Sequence, residues 1–195
     1  GQVTLIAVSK QQQEARIDAS LAFGQRVFGE NRVQEAQKRW ESRKEQYQDL
    51  SLHLIGPLQS NKTTDAVRLF DVIHTVDRPK IALAVAKEAA IQGKYIECFI
   101  QVNTGEEPQK SGIFPNDLAS FVDFCKLEAG LQIRGLMCIP PIDEEAALHF
   151  GFLKTLASRN NLSGLSMGMS GDYEEAIRFG ATHIRVGSAL FGSRE

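Results

Sequence analysis

Short apolar runs rich in β-branched residues alternate along the chain with longer amphipathic stretches. The runs are Val3–Val8, Val27–Gly29, Leu52–Ile55, Asp71–Thr75, Ile96–Val102, Ile133–Ile139, Leu162–Met167 and Thr182–Val186. Continuous apolar character of this kind suits strands covered on both faces, as in a parallel sheet. The intervening stretches carry helical spacing, with apolar stripes at Ile17, Leu21 and Ala22, at Ile81, Val85 and Ala89, and at Leu118, Phe121, Val122 and Cys125. Pro79 and Pro115 stand where first-turn prolines are expected. Asp172 is placed to cap a helix containing Glu174–Ile177, and Gly24, Gly93, Gly130 and Gly180 fall where helices would stop.

Eight strand–helix alternations in 195 residues predict one α/β domain over 1–195, a single (β/α)8 barrel of the TIM type. It is compact for a fold that typically runs to about 250 residues. The alternative, an open doubly wound sheet, normally uses fewer strands, and no G-x-G-x-x-G follows the first strand.

Composition narrows the partners. The net charge of −2 gives no long-range attraction to nucleic acid or to an anionic membrane. No apolar run approaches the ~20 residues that cross a bilayer, and no secretory leader pattern is visible. A cytoplasmic monomer is the expectation. Cys98, Cys125 and Cys138 are widely spaced and odd in number, which argues for small buried hydrophobes rather than disulfides or a zinc site. No H-x-x-H, H-E-x-x-H or G-x-S-x-G pattern points to a metal or a hydrolase elbow. His53 and His74 lie within apolar strands and read as core histidines with satisfied partners.

In a barrel of this type, function collects at the C-terminal ends of the strands. Lys10 directly follows the first, very apolar strand. A lysine of restricted hydration loses some preference for its charged form, and the neutral amine is a nucleophile. A stem that snorkels to solvent is the other reading of the same position. After the seventh strand comes Ser166-Met167-Gly168-Met169-Ser170-Gly171, and after the eighth Gly187-Ser188. These two loops form the usual phosphate cup of the fold, and Gly/Ser-rich turns let backbone N–H groups approach an anion. Ordinary tight turns with serine caps would share the pattern. Arg185 lies two residues before Gly187, on the same face of its strand. It suits either a ligand or an ion pair. Ser60 and Asn61 read first as helix caps.

Six ordered motifs then carry a resemblance across essentially the whole chain. They are Ala7-Val8-Ser9-Lys10, Phe28-Gly29-Glu30-Asn31-Arg32-Val33-Gln34-Glu35, His53-Leu54-Ile55-Gly56-Pro57-Leu58-Gln59-Ser60-Asn61-Lys62, Gly135-Leu136-Met137, Leu165-Ser166-Met167-Gly168-Met169-Ser170 and Arg185-Val186-Gly187-Ser188-Ala189-Leu190-Phe191-Gly192. The chain resembles the pyridoxal phosphate homeostasis protein family. The resemblance implies the fold-type III barrel of the alanine racemase N-terminal domain, without that enzyme's C-terminal β domain. It implies pyridoxal 5'-phosphate (PLP) held as a Schiff base on Lys10, with its phosphate around Ser170, Gly187 and Ser188. Met169 would add a backbone contact, Asn31 would lie beside the cofactor, and Arg185 would face the pyridine nitrogen. Two features depart from the family pattern. The helix that usually precedes the first strand is absent, and Gln11-Gln12-Gln13 replaces a Thr-Lys-Pro-like run.

The expected role is a carrier rather than an enzyme. An arginine at the pyridine nitrogen cannot supply the proton that a carboxylate partner would maintain there, so the ring is a weaker electron sink. Alanine racemase shares that arginine but adds a second domain and a tyrosine base. Tyr47, Tyr95 and Tyr173 lie in predicted helices or at strand starts. PLP and, transiently, the apo-enzymes that use it are the expected partners. Lys110, in the loop Glu107–Gly112, is a candidate second amine near the mouth. A small racemase of the same fold is the alternative.

Overall fold

The structure is a computed structural model that describes residues 1–193; Arg194 and Glu195, the last two positions of the domain expected from the sequence, lie outside the described residues. Eight parallel strands close into a barrel in sequential order, β1 Thr4–Val8, β2 Val27–Glu30, β3 Ser51–Leu54, β4 Val72–Val76, β5 Glu97–Gln101, β6 Gln132–Met137, β7 Gly164–Ser166 and β8 His183–Val186. Closure is made by β8 on β1, with Ile6 opposite Arg185 and Thr4 opposite His183. The helices between them are α1 Glu14–Phe23, α2 Val33–Gln46, α3 Thr63–Leu69, α4 Pro79–Gln92, α5 Leu118–Asp123, α6 Ala146–Arg159, α7 Tyr173–Arg178 and α8 Ser188–Phe191. The doubly wound alternative is thereby excluded.

Each strand falls within about two residues of its apolar run. The largest discrepancy is β7, three residues long where six were expected, because Leu162 and Met167 pack in irregular backbone on either side. Pro79 opens α4, and Pro115 opens a 3-10 turn at Pro115–Asp117 that leads into α5. Gly24 and Gly93 end α1 and α4 at φ 110° and 60°, left-handed backbone that glycine adopts without a Cβ clash. The Leu118–Cys125 stripe is buried throughout, but the helix widens into a π turn over Phe124–Glu128. Ala22, expected on the inner stripe of α1, is exposed; Ile17 and Leu21 alone seat that helix.

Two expected caps behave differently. Ser60 and Asn61 form a 3-10 turn, and Ser60 works through its backbone carbonyl, which accepts the Thr63 hydroxyl at 2.9 Å. Asp172 does precede α7, yet its carboxylate turns back to accept the Met169 N–H at 2.7 Å. The Asp172 side chain thus has its partner in its own loop rather than at the helix N–H groups.

Alternation along the strands separates two kinds of interior. Positions facing the helices, among them Ala7, Phe28, Leu52, Leu54, Ile73, Cys98, Leu136 and Ile184, join Ile17, Trp40, Val85 and Phe150 in the main apolar core. The barrel lumen holds a small separate apolar cluster, Val72, Phe99 and Met137. Branched aliphatics usually fill this space. Here His53, His74, His183, Ser166 and Arg185, all buried, occupy much of it. The His74 ring stacks on Phe99 with centroids 4.5 Å apart.

Candidate functional site

The parity that points Ile6 into the lumen carries on through Val8 to Lys10, just beyond the end of β1. Lys10 lines a cavity of about 300 Å³ together with Val8, Asn31, Ile139, Met169, Ser170, Gly171, Arg185, Gly187 and Ser188. All seven residues expected to hold a cofactor therefore meet at one opening. Lys10 and Asn31 also line a neighbouring cavity of about 530 Å³ with Arg32, Pro57 and Lys62. Asn31 borders a third, of about 660 Å³, whose walls include Gln101, Asn103, Lys110 and Ile139. Lys110 is thus at the mouth but not in the cavity that holds Lys10.

The loop bearing Lys10 is fixed by a buried polar cluster. Glu30, fully buried at the end of β2, accepts from the Ser9 hydroxyl at 2.6 Å, from Arg39 at 2.9 Å and from the Trp40 indole at 2.9 Å. Arg39 also donates to the backbone carbonyls of Ser9 and Gln12 and pairs with Glu14. A charge-assisted bond of this kind stabilises more than a neutral one. The cluster ties α2 to the turn on both sides of Lys10.

Opposite, the loops after β7 and β8 are joined through Ser170. Its hydroxyl oxygen accepts the N–H groups of Gly187 and Ala189, each at 3.2 Å. With two donors on the oxygen, the hydroxyl proton is left to point outward. The Met169 N–H is engaged by Asp172, so a backbone contact from Met169 to an anion requires that carboxylate to yield.

Arg185 forms no ion pair among the described residues. It donates to the Ser166 hydroxyl at 2.6 Å and to the Cys138 carbonyl at 2.9 Å. Burial pulls its pKa down, and the smaller opposing fields of Cys138 and Asp172 do not reverse it. An unpaired buried guanidinium is costly, and it favours an electron-rich acceptor placed against it. Behind it, Ser166 meets His74 Nδ1 at 2.8 Å, and His74 Nε2 meets His53 Nδ1 at 2.8 Å. His53 and His74 are satisfied core histidines, as expected. Burial foremost holds His53 at about 3 and His183 at about 4, and lowers His74 well below the usual imidazole range.

Sequence reasoning grouped the residues that line the cavity but missed their supports. Glu30, Arg39 and Ser166 stood beside or inside the quoted motifs, but nothing in their spacing showed them converging. All three cysteines are free and buried, as expected. No cluster of His, Cys, Asp and Glu suited to a metal ion occurs among the described residues, and no helix among them is long and apolar enough to cross a membrane.

An eight-stranded parallel barrel with a lysine after the first strand and Gly/Ser loops after the last two defines a class of cofactor-binding barrels. The model of the family described as "Alanine racemase, N-terminal domain" matches residues 1–195. The chain belongs to the pyridoxal phosphate homeostasis proteins within it. Proteins of that name from Vibrio cholerae and Pseudomonas aeruginosa are 40% and 42% identical to it, over 99% of this chain and 86% and 85% of theirs. Among solved structures, PipY of Synechococcus elongatus superposes with a TM-score of 0.91 at 40% identity, covering 97% of this chain and 93% of that one. A second PipY structure, described as having PLP bound, gives a TM-score of 0.90 at 40% identity, with 97% and 92% covered. An alanine racemase of Clostridium difficile shares the fold, with a TM-score of 0.75 at 15% identity over 98% of this chain and 52% of that one.

Proposed function

We propose that this chain binds PLP at the open end of the barrel, joined to Lys10 as a Schiff base, and serves intracellular PLP homeostasis by holding and releasing it. The observation that carries the reading is Arg185, a buried cation with no ion-pair partner among the described residues, lining the same cavity as Lys10, Ser170 and Gly187. An aromatic nitrogen supplies the acceptor that such a guanidinium favours. Ser170, Gly187 and Ser188 suit the phosphate, since N–H groups already converge on Ser170 and its own proton is free to point at an anion. Asn31 and Met169 complete the wall. PipY, at 40% identity, is described with PLP bound, and the relatives' names point the same way.

Joining is a condensation. Lys10 would supply the amine that adds to the cofactor's aldehyde carbon, with the carbonyl oxygen leaving as water. Release is the reverse, or displacement of Lys10 by another protein's lysine. PLP supplies an electron sink when bound. Arg185 would stand against the ring nitrogen as a donor that cannot protonate it, which would keep that sink weak. Among the described residues no tyrosine lines the three cavities around the site; the Tyr173 hydroxyl lies 3.5 Å from Glu174 instead. Since alanine racemase shares the arginine, it is the lack of a tyrosine at these cavities among the described residues that favours a carrier over a racemase; a cytoplasmic monomer that meets apo-enzymes transiently is part of the same proposal.

The test is transfer. The PLP-loaded protein is mixed with the apo form of a PLP-dependent enzyme, and α-proton exchange of free amino acids is followed separately in deuterated water. Restored enzyme activity matched by loss of the carrier's visible band supports the reading. Rapid α-proton exchange without transfer would replace it with a racemase.

A further inference from the structure

The lumen holds a continuous hydrogen-bonded chain that the binding role alone does not require. It runs from Arg185 to Ser166 at 2.6 Å, to His74 at 2.8 Å, to His53 at 2.8 Å, and to the Ser51 hydroxyl at 3.1 Å. Ser51 begins β3 at the closed end of the barrel, whereas Arg185 lines the cavity at the open end.

The chain has a direction, and Arg185 sets it. A guanidinium only donates, so the Ser166 oxygen accepts from Arg185. Ser166 is fully buried, and His74 Nδ1 is the remaining partner of its hydroxyl among the described residues. If Ser166 donates there, Nδ1 of His74 is an acceptor and its proton sits on Nε2. That proton goes to Nδ1 of His53, whose own proton on Nε2 goes to Ser51. The protons of Ser166, His74 and His53 then each have an acceptor, and Ser51, the partly exposed end of the chain, carries its own toward solvent. In the opposite direction the fully buried Ser166 proton has none, and a buried donor left unpaired is disfavoured.

We infer that Ser166, His74 and His53 are positioning residues, a one-way hydrogen-bond chain with both histidines protonated on Nε2 that holds the Arg185 guanidinium facing the cofactor's ring. The inference rests on the proposed PLP site for what Arg185 faces, but not for the chain itself. His53 makes no hydrogen bond to Arg185 and does not line the cavity, so its hydrogen-bonded route to both runs through His74 and Ser166; its other lumen neighbour, His183, offers ring packing with centroids 6.1 Å apart.

The first measurement needs no cofactor. Long-range ¹H–¹⁵N correlations on the unliganded protein at pH 7.5 are expected to show His53 and His74 as Nε2–H tautomers. An Nδ1–H tautomer at His74 would overturn the direction. The second compares His53→Leu with His53→Asn, both checked for folding by circular dichroism. The asparagine Oδ1 sits near the place of Nδ1 and keeps the acceptor for His74, whereas leucine removes it. His53→Leu is expected to mix the His74 tautomers, broaden the Arg185 side-chain N–H signals, shift the visible band of bound PLP and weaken PLP binding roughly tenfold, the order of one lost hydrogen bond. His53→Asn is expected to restore all four. Identical behaviour of the two folded variants would sink the positioning role. If neither variant folds, Ser166→Ala serves as the second cut: unchanged Arg185 signals there would contradict the chain. A protein with the expected tautomers that does not bind PLP would refute the proposed function and leave the chain standing.

Discussion

The Ser9 hydroxyl donates to the buried Glu30 carboxylate at 2.6 Å, so the residue before Lys10 and the residue before Asn31 are tied directly together. Two adjacent strand ends thereby present the proposed amine and its neighbour from one fixed frame. Arg39 closes the frame from α2. Arg39→Met would strand the Glu30 charge in the interior, at a cost of about 3–5 kcal/mol. Glu30→Gln should cost less, because Arg39 keeps Glu14 and two backbone carbonyls. Urea denaturation of the two variants checks this order; equal losses would show that the carboxylate is not compensated by Arg39.

Gly56 supports Asn31 from behind. A Cβ there would stand 2.3 Å from the Asn31 carbonyl oxygen and 2.8 Å from its Cα, contacts with backbone that cannot rotate away. Gly56→Ala is expected to shift Asn31, lower stability by roughly 1–3 kcal/mol and weaken PLP binding about tenfold or more. Isothermal titration with PLP measures the second effect. Wild-type affinity in a folded Gly56→Ala protein would place Asn31 away from the ligand.

The lumen histidines make stability depend on pH. Their folded pKa values are depressed, His53 to about 3 and His183 to about 4, while the unfolded chain titrates near 6.5. Below 6.5 the unfolded chain therefore binds more protons than the folded one. The histidine contribution is full above pH 6.5 and is lost as pH falls through that value toward 3–4. Each such histidine adds a slope of up to about 1.4 kcal/mol per pH unit. Urea midpoints at pH 7.5, 6 and 5 should fall steeply over the lower interval, and a folded His183→Phe variant should flatten the slope. A constant midpoint from pH 7.5 to 5 would contradict the neutral, buried lumen.

The thiols are packing groups. Burial raises Cys125 and Cys138 to about 12, and Cys98 higher still. A thiol-specific disulfide reagent at pH 8 is expected to label none of the three until the chain is unfolded. Rapid labelling of the native protein would show an exposed thiolate.

The barrel was legible because strand and helix periods alternate without interruption, and eight repeats leave little choice of architecture. The residues that line the cavity were legible because the loops after the strands carry them in ordered motifs. Lys10, Asn31, Ser170, Arg185 and Gly187 do line one cavity. What stayed hidden was the polar support. Whether Glu30 is a surface carboxylate or a buried one depends on Arg39 and Trp40 arriving from α2, which no local pattern encodes. Likewise Ser166, His74 and His53 are far apart in sequence and meet only after closure. The caps failed for a local reason: Asp172 found the Met169 N–H before the first turn of α7.

Borohydride reduction of the PLP-loaded protein, followed by peptide mass spectrometry, tests the central claim most directly. The account predicts loss of the visible band and a single reduced phosphopyridoxyl adduct on Lys10, with none in a Lys10→Ala variant. An adduct on Lys110 or elsewhere with Lys10 unmodified, or a wild-type protein that stays colourless with PLP, would contradict it.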